Sequence, residues 1–486
     1  MEGTAVARSD SAFESIDLAK AIPQGTADHV GRDMRIRQHV LGIIQAAYER
    51  FGFSPFETPA LENVEVFRGR YGEGEENMFH LSDRHQHHLV LPYDSTASLA
   101  RVMATHPELP KPYRGYNISR SFRDESGGGL HRELVQCSAD VVGSSYLGDD
   151  AQFVVMAFSV LRRLGFEDFT IRINHRRIYR DMAEIHGIRD RDQIIAIERA
   201  IDHFDQGKGG IEGVKKELAG HHIGEELISD LLQVLELSGG PHYVLQQLEN
   251  LVYWQTKGIG FKALDELREI IEALPRDVLN KTEIDLSLVR DLDYYTGFVI
   301  EAHVEGASVA SVLRGGRYDD LIASFGVETP AVGMAFYFEL ILEAMAELGI
   351  LDNLDVSRRR IFLCSAEKRG SHKIQVMSQA LRRSSFEVVA IHEPLDNRFK
   401  RLKMAMAEEC AFIVCLDGMI SIKPLPDYGE SSFLKVLQEA LENNAFGDGK
   451  RSAVVIERET DEREKKEVAR LGQPVYDFNP EQIRIW

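Results

Sequence analysis

Cysteine is scarce and scattered, with only Cys137, Cys364, Cys410 and Cys415 in 486 residues. None forms the close pairs that bind zinc or staple a small secreted fold, so all four are expected to be reduced thiols of a cytoplasmic protein. Long apolar runs are missing as well. No stretch reaches the ~20 apolar residues that a membrane helix needs. The opening, MEGTAVARSDSAFESIDLAKAIPQG, lacks a basic region followed by an apolar run, so neither a membrane span nor a targeting signal is expected. Positive charge is outnumbered, with 57 Lys and Arg against 77 Asp and Glu and a formal net charge of -20. Affinity for nucleic acid comes mainly from cations neutralising phosphates, so this balance argues against a general nucleic-acid binder, while leaving room for a local basic face. What the chain does have is a globular make-up, 44% hydrophobic and 28% charged, at a length that suits two or three domains.

The chain reads as a β-rich core interrupted once by helices. Ile36, Val40, Ile43, Ala47 and Phe51 recur at helical spacing, and Gly52 stands where a left-handed cap would end that helix. FSPFETPALENVEVF reads as a strand broken by Pro55 and Pro59, and HHLVLPYDST as a strand running into a polar turn. PYRGYNISRSF and RELVQCSADVVG are β-rich runs separated by ESGGGLH, a segment long enough for a hairpin loop that closes over a ligand. The stretch 179–275 is charged, glycine-punctuated and helical in pattern, and so reads as an inserted domain. The core resumes with YYTGFVIEAHV and SVLRGGRYDDLIASF, followed by an apolar helix expected from about Ala331 to Leu348. After the charged junction DNLDVSRRR, a small α/β domain is expected over 356–486, with a charged tail. The core itself would comprise 1–178 and 276–352.

Three groups of residues carry chemistry. Arg123 precedes the glycine loop, with His131 and Arg132 beyond it. An arginine fork beside a closing loop suits a phosphate, and a solvated hairpin tip fits the same composition. Asp94 and Thr96 follow a strand, while Gln136 and Asp140 share one strand face. Such a set suits an amino acid, with Asp94 and Thr96 at its ammonium and Asp140 accepting from an imidazole N–H; each residue alone also fits an ordinary turn or sheet position. The third group is LVRDLDYYTG, where Tyr294 and Tyr295 offer either hydroxyls and an aromatic wall or plain packing.

The strings YGEGEE, YDST, SFRDE, ELVQC, INHRRI, LVRDLDYYTG, LRGGRYDDL and TPAVG occur in the order and spacing of histidyl-tRNA synthetases. By them the chain resembles that family, nearest to its eukaryotic and archaeal type, from about Ala21 to Leu348 and more faintly beyond. The resemblance implies an α+β fold: the class II synthetase antiparallel sheet with a helical insertion and a small α/β C-terminal domain. It also implies roles. Arg123 would bind the ATP α-phosphate and Glu125 would approach the adenine end. Asp94, Thr96 and Gln136 would hold the histidine ammonium and backbone, Asp140 and Tyr295 would face the imidazole, Tyr294 would belong to the same substrate site, and Arg290 would bind near the carboxylate and α-phosphate as charge develops. ATP with Mg²⁺ would be the co-reactant, with no residue assigned as a metal ligand, and the segment around Pro59 would build a homodimer.

The sequence departs from that pattern at the phosphate side. Leu340 stands where the third class II motif keeps an arginine for the γ-phosphate, and Tyr337 replaces a glycine beneath the adenine. Pro92 and Leu130 replace two further arginines. ATP binding and histidine-dependent exchange are therefore expected to be reduced by roughly 10²–10³-fold. In the C-terminal domain Lys400, Arg401 and Lys403 remain, yet the family's glycine-glutamate turn is altered, so tRNA binding is doubtful. The reading is a histidine-binding, synthetase-like protein that activates histidine as an acyl-adenylate for tRNA or another acceptor. Its rival is a histidine-sensing regulatory subunit like that of ATP phosphoribosyltransferase.

Overall fold

The computed structural model describes residues 22–124, 131–205, 210–251, 262–289, 294–309, 311–354, 360–365, 371–383, 386–395, 397, 400–401, 404–405, 410, 412–417, 419–424 and 454–456. The chain divides into two compact units. One is built on Arg37–Asn353; the described residues after it, with His29–Ile36, make the other.

Helix α1 spans Gly31–Arg50. Val40, Ile44, Ala47 and Tyr48 form its fully buried stripe, and the chain leaves it at Gly52, whose φ of +82° is the left-handed conformation that glycine adopts without a Cβ clash. Prolines cut the next segment into two-residue strands, β1 (Ser54–Pro55) and β2 (Glu62–Asn63). With β3 (His80–Ser82) and β4 (His88–Val90), β2 makes a small antiparallel sheet in the order β2-β4-β3. Helix α2 (Thr96–Thr105) starts where β4 turns back.

The main sheet has nine strands. Next to the short edge strand β1 lie two antiparallel ten-residue strands, β5 (Tyr113–Phe122) and β6 (Glu133–Val142), in register from Tyr113 opposite Val142 to Phe122 opposite Glu133. Helix α3 (Leu147–Arg163) leads to β7 (Phe169–His175). Between β7 and β9 (Thr282–Asp285) the described chain is helical: α4 (Arg177–Ile185), α5 (Arg191–Asp205), α6 (Gly210–Gly220), α7 (Glu225–Leu235), α8 (Pro241–Asn250), α9 (Lys262–Glu272) and α10 (Arg276–Leu279). One short strand, β8 (Ser238–Gly239), returns from this region to pair with β9 at the sheet edge. Strands β10 (Phe298–Val304), β11 (Leu313–Arg317) and β12 (Ala331–Tyr337) complete the sheet in the order β1-β5-β6-β12-β11-β10-β7-β9-β8. The run from β5 to β7 is antiparallel; among the described residues of this sheet only β1 on β5 and β7 on β9 pair in parallel.

One expected element is different. Ala331–Tyr337 is a strand and only Phe338–Glu347 is helical, after α11 (Asp319–Ala323), so it becomes α12. An unbroken apolar run has no period to separate a strand buried on both faces from a helix. The chain changes direction at Tyr337, and Glu339 anchors the new helix from below: Arg37 Nη2 donates to its Oε1 at 2.6 Å and the Val135 amide to its Oε2 at 2.7 Å.

The second unit carries a five-stranded mixed sheet, β14-β13-β15-β16-β17, formed by β13 (Arg360–Cys364), β14 (Glu387–Ala390), β15 (Phe412–Asp417), β16 (Met419–Pro424) and β17 (Val454–Ile456). Helix α13 (Ser371–Arg383) links its first two strands. All four cysteines are buried and none is in a disulfide; Cys364 and Cys415 lie opposite each other on β13 and β15 with sulfurs 3.3 Å apart. No described helix is long and apolar enough to cross a membrane.

Candidate active site

A cavity of about 450 Å³ opens on one face of the main sheet. Strand alternation decides what lines it. On β6, Gln136, Ser138 and Asp140 face it; on β12, Gly333, Ala335 and Tyr337; on β11, Arg314; on β10, Glu301 and His303; on β7, Arg172. Tyr93, Asp94, Thr96 and Arg123 close one side, and Tyr294, Tyr295 and Tyr318 form an aromatic wall. Helix α5 contributes Asp202. Of the residues singled out in the sequence, Asp94, Thr96, Arg123, Gln136, Asp140, Tyr294 and Tyr295 are thus brought onto one cavity. Glu125 and Arg290 lie outside the described residues.

Of the four buried carboxyls that line it, Asp94, Asp140, Asp202 and Glu301, the first two lie beside the tyrosine wall. Asp94 accepts from the Tyr71 hydroxyl at 2.5 Å, from the Thr96 amide at 2.8 Å and, more distantly, from the Tyr294 hydroxyl at 3.5 Å. Burial raises its pKa from the carboxylate range, opposed by the Tyr71 and Thr96 hydrogen bonds and the Arg123 charge. Asp140 accepts from the Tyr318 hydroxyl at 2.6 Å. Burial pushes it up to about 7; the Tyr318 bond opposes the shift and the negative charge of Asp94 adds to it. A cation brought beside these two carboxyls would favour their ionised forms and offset the cost of burying that charge.

Glycines make room for this arrangement. A Cβ at Gly333 would fall 1.9 Å from Asp140 Oδ1, and one at Gly316 would fall 2.8 Å from the Tyr295 ring. Tyr294 stacks obliquely on Tyr295 with centroids 4.7 Å apart and meets Tyr71 and Tyr318 edge-on at 5.9 and 6.0 Å. Gln136 is oriented by Ser121, whose hydroxyl donates to its Oε1 at 2.9 Å.

The other end is cationic. The Arg123 guanidinium lies over the Tyr93 ring at 4.4 Å and 5.7 Å from the centroid of Tyr337; Arg314 lies 5.7 Å from the same Tyr337 ring. Leu340 is half-buried on α12 and does not line the cavity. Glu301, His303, Arg314 and Arg172 were missed in the sequence because they sit in strands that read as packing. Period-two alternation along Phe298–Val304, which puts Glu301 and His303 on one face of an otherwise apolar strand, was the signal available.

The family described as histidyl-tRNA synthetase matches residues 25–341. The chain is 36% identical over 372 residues to histidine-tRNA ligase of Korarchaeum cryptofilum, covering 75% of this chain and 84% of that one. To the ligase of Cytophaga hutchinsonii it is 29% identical over 438 residues, covering 83% and 95%. Its fold is similar to the crystal structure of histidyl-tRNA synthetase from Nostoc sp., with a TM-score of 0.75 and 25% identity, over 87% of this chain and all of that one. A Bacillus halodurans protein described as an ATP phosphoribosyltransferase regulatory subunit/histidyl-tRNA synthetase has the same fold, with a TM-score of 0.67 and 20% identity, over 84% and 100%.

Proposed function

The chain belongs to the histidyl-tRNA synthetase family, and from that premise we propose that its cavity binds histidine and activates it with ATP as an acyl-adenylate. The observation that carries this is the convergence of Asp94, Thr96, Arg123, Gln136, Asp140, Tyr294 and Tyr295 on one cavity. Histidine enters with its ammonium toward Asp94, Thr96 and Gln136, and its imidazole toward Asp140 and the tyrosine wall. Its carboxylate then faces Arg123. A carboxylate oxygen attacks the α-phosphorus of ATP, a new P–O bond forms, and pyrophosphate leaves with the electrons of the broken bond. Arg123 stabilises the charge on the α-phosphoryl oxygens, and one such preorganised donor is worth about 3 kcal/mol. Mg²⁺ neutralises phosphate charge when bound. Such an ion needs one or two carboxylates besides the phosphates; Glu301 is already paired with Arg314 and His303, and no group of three His, Cys, Asp or Glu side chains that could hold a metal occurs among the described residues. The acceptor is tRNA or another nucleophile.

Calorimetry against a panel of amino acids, followed by histidine-dependent pyrophosphate exchange, tests the proposal. Histidine is expected to bind most tightly, with Asp140→Ala costing about 1–3 kcal/mol. Indifference to histidine alongside binding of another amino acid would sink it. A second reading, a histidine sensor that acts through a partner, is favoured by Tyr337 projecting into the cavity and by Leu340; histidine binding without any ATP binding would select it. We further propose a homodimer through the segment around Pro59, which is exposed, as is Leu61 beside it at 51%. Light scattering is expected to give twice the chain mass; a monomer at micromolar concentration would refute the dimer.

A further inference from the structure

The loss of the third-motif arginine leaves a question of charge: three phosphates must be neutralised, and Arg123 is committed to the first. The sheet supplies a second cation from another strand. Arg314 on β11 is in register with Glu301 on β10 and Ala335 on β12, so all three lie in one cross-strand row on the cavity face. The neighbour on β12 is only a methyl group, and the Arg314 side chain remains 41% exposed while Glu301 beneath it is buried. Its Nε sits 3.3 Å from Glu301 Oε1, an ion pair whose angle leaves Nε itself without a hydrogen bond. The carboxylate fixes the direction of the guanidinium, and the rest of the fork is left to a ligand.

Tyr337 has a role in this. Its ring has both Arg123 and Arg314 within 5.7 Å of its centroid, close enough for the ring quadrupole to attract each guanidinium. The residue that crowds the adenine side therefore also stands between two cations on one wall. Among the described residues the remaining arginine of the lining, Arg172, is paired with Asp285 at 3.2 Å. We propose that Arg314 grips the distal phosphates of ATP, taking over from β11 the task that Leu340 on α12 cannot perform. This rests on the reading of the cavity as an ATP site.

The test is a titration series of AMP, ADP and ATP, at one magnesium concentration, on the full-length protein and on Arg314→Gln, with histidine affinity measured beside it. In the unmodified protein affinity is expected to climb from AMP to ATP. In Arg314→Gln the ATP affinity is expected to fall roughly 10- to 100-fold, the range for losing charge-assisted hydrogen bonds. AMP and histidine affinities should stay within about twofold, because neither reaches the distal site. AMP binding as tightly as ATP in the unmodified protein would overturn the assignment without needing any variant. So would an Arg314→Gln protein that keeps the full climb, or one that loses AMP and ATP equally. In all three cases ATP still binds the unmodified protein and the reading of the site survives. If no adenine nucleotide binds the unmodified protein, that reading fails as well and the histidine sensor replaces it.

Discussion

Asp140 is the residue whose titration should be most visible. Its carboxyl is pushed up to about 7, chiefly by burial, so in the ligand-free protein it is half neutral near neutral pH. A carboxyl raised in the folded state opposes folding as pH rises from the unfolded value, about 4, through the folded one. Asp140→Asn is therefore expected to raise the melting temperature above pH 7 and to change it little near pH 4, measured without ligand. Histidine binding runs the other way: the ionised carboxylate is the form that accepts from the ligand, so affinity should strengthen as pH rises through about 7. Asp140→Asn should flatten that rise and leave only the titration of histidine itself. An unchanged profile would show that Asp140 does not meet the ligand. At the same scale, Leu340→Arg with Tyr337→Gly should raise histidine-dependent pyrophosphate exchange, by less than the roughly 10²–10³-fold that a lost preorganised donor costs, because Arg314 already supplies part of that charge. A fall would mean that Tyr337 is worth more as a support for Arg123 and Arg314 than as an obstacle. The polar residues of the amino-acid end were legible in the sequence because they cluster in distinctive strings. Arg314 and Glu301 were not, since they come together only through the register of β10 and β11, which no local pattern prints.

Gly333 shows how an element, rather than a side chain, sets the site. Strand β12 passes beneath Asp140, and a Cβ at this position would meet Oδ1 at 1.9 Å and the Ala139 carbonyl at 3.0 Å. Gly333→Ala must therefore displace the carboxylate or push β6 and β12 apart. The expected outcome is a loss of histidine affinity of at least tenfold with a smaller fall in stability, read by calorimetry and thermal melting. Retained affinity would place the histidine pocket elsewhere. The strands β5 and β6 are plain in the sequence because they are long β-rich runs set apart by the glycine-rich string ESGGGLH. Strand β12 reads there as the start of a helix: its residues are buried on both faces, and the turn at Tyr337 is made by tertiary contacts of Glu339 with Arg37 and the β6 backbone. Proline placement, by contrast, is a local signal, and it marks the short strands near Pro55 and Pro59 correctly.

At the scale of the whole molecule the decisive quantity is charge. A net -20 repels a polyanion at long range, and specific RNA binding then needs a concentrated basic face to overcome it. The sequence offers Lys400, Arg401 and Lys403 for that purpose. Arg401 is turned inward in the second unit: its Nε donates to the Leu395 carbonyl at 2.5 Å and its Nη1 to Cys415 Sγ at 3.2 Å. Lys400 is exposed, and Lys403 lies outside the described residues. A guanidinium engaged with its own domain makes a poor phosphate contact, because those bonds must break first. Histidine tRNA is accordingly expected to bind no more tightly than non-cognate tRNA, with dissociation constants in the non-specific range of about 10⁻⁴–10⁻⁶ M at physiological salt. A gel-shift series over several salt concentrations measures this directly. Affinity far tighter than that, falling steeply with salt and selective for histidine tRNA, would mean that enough cations converge on the RNA to outweigh the acidic surface, and would make tRNA the acceptor of the activated amino acid.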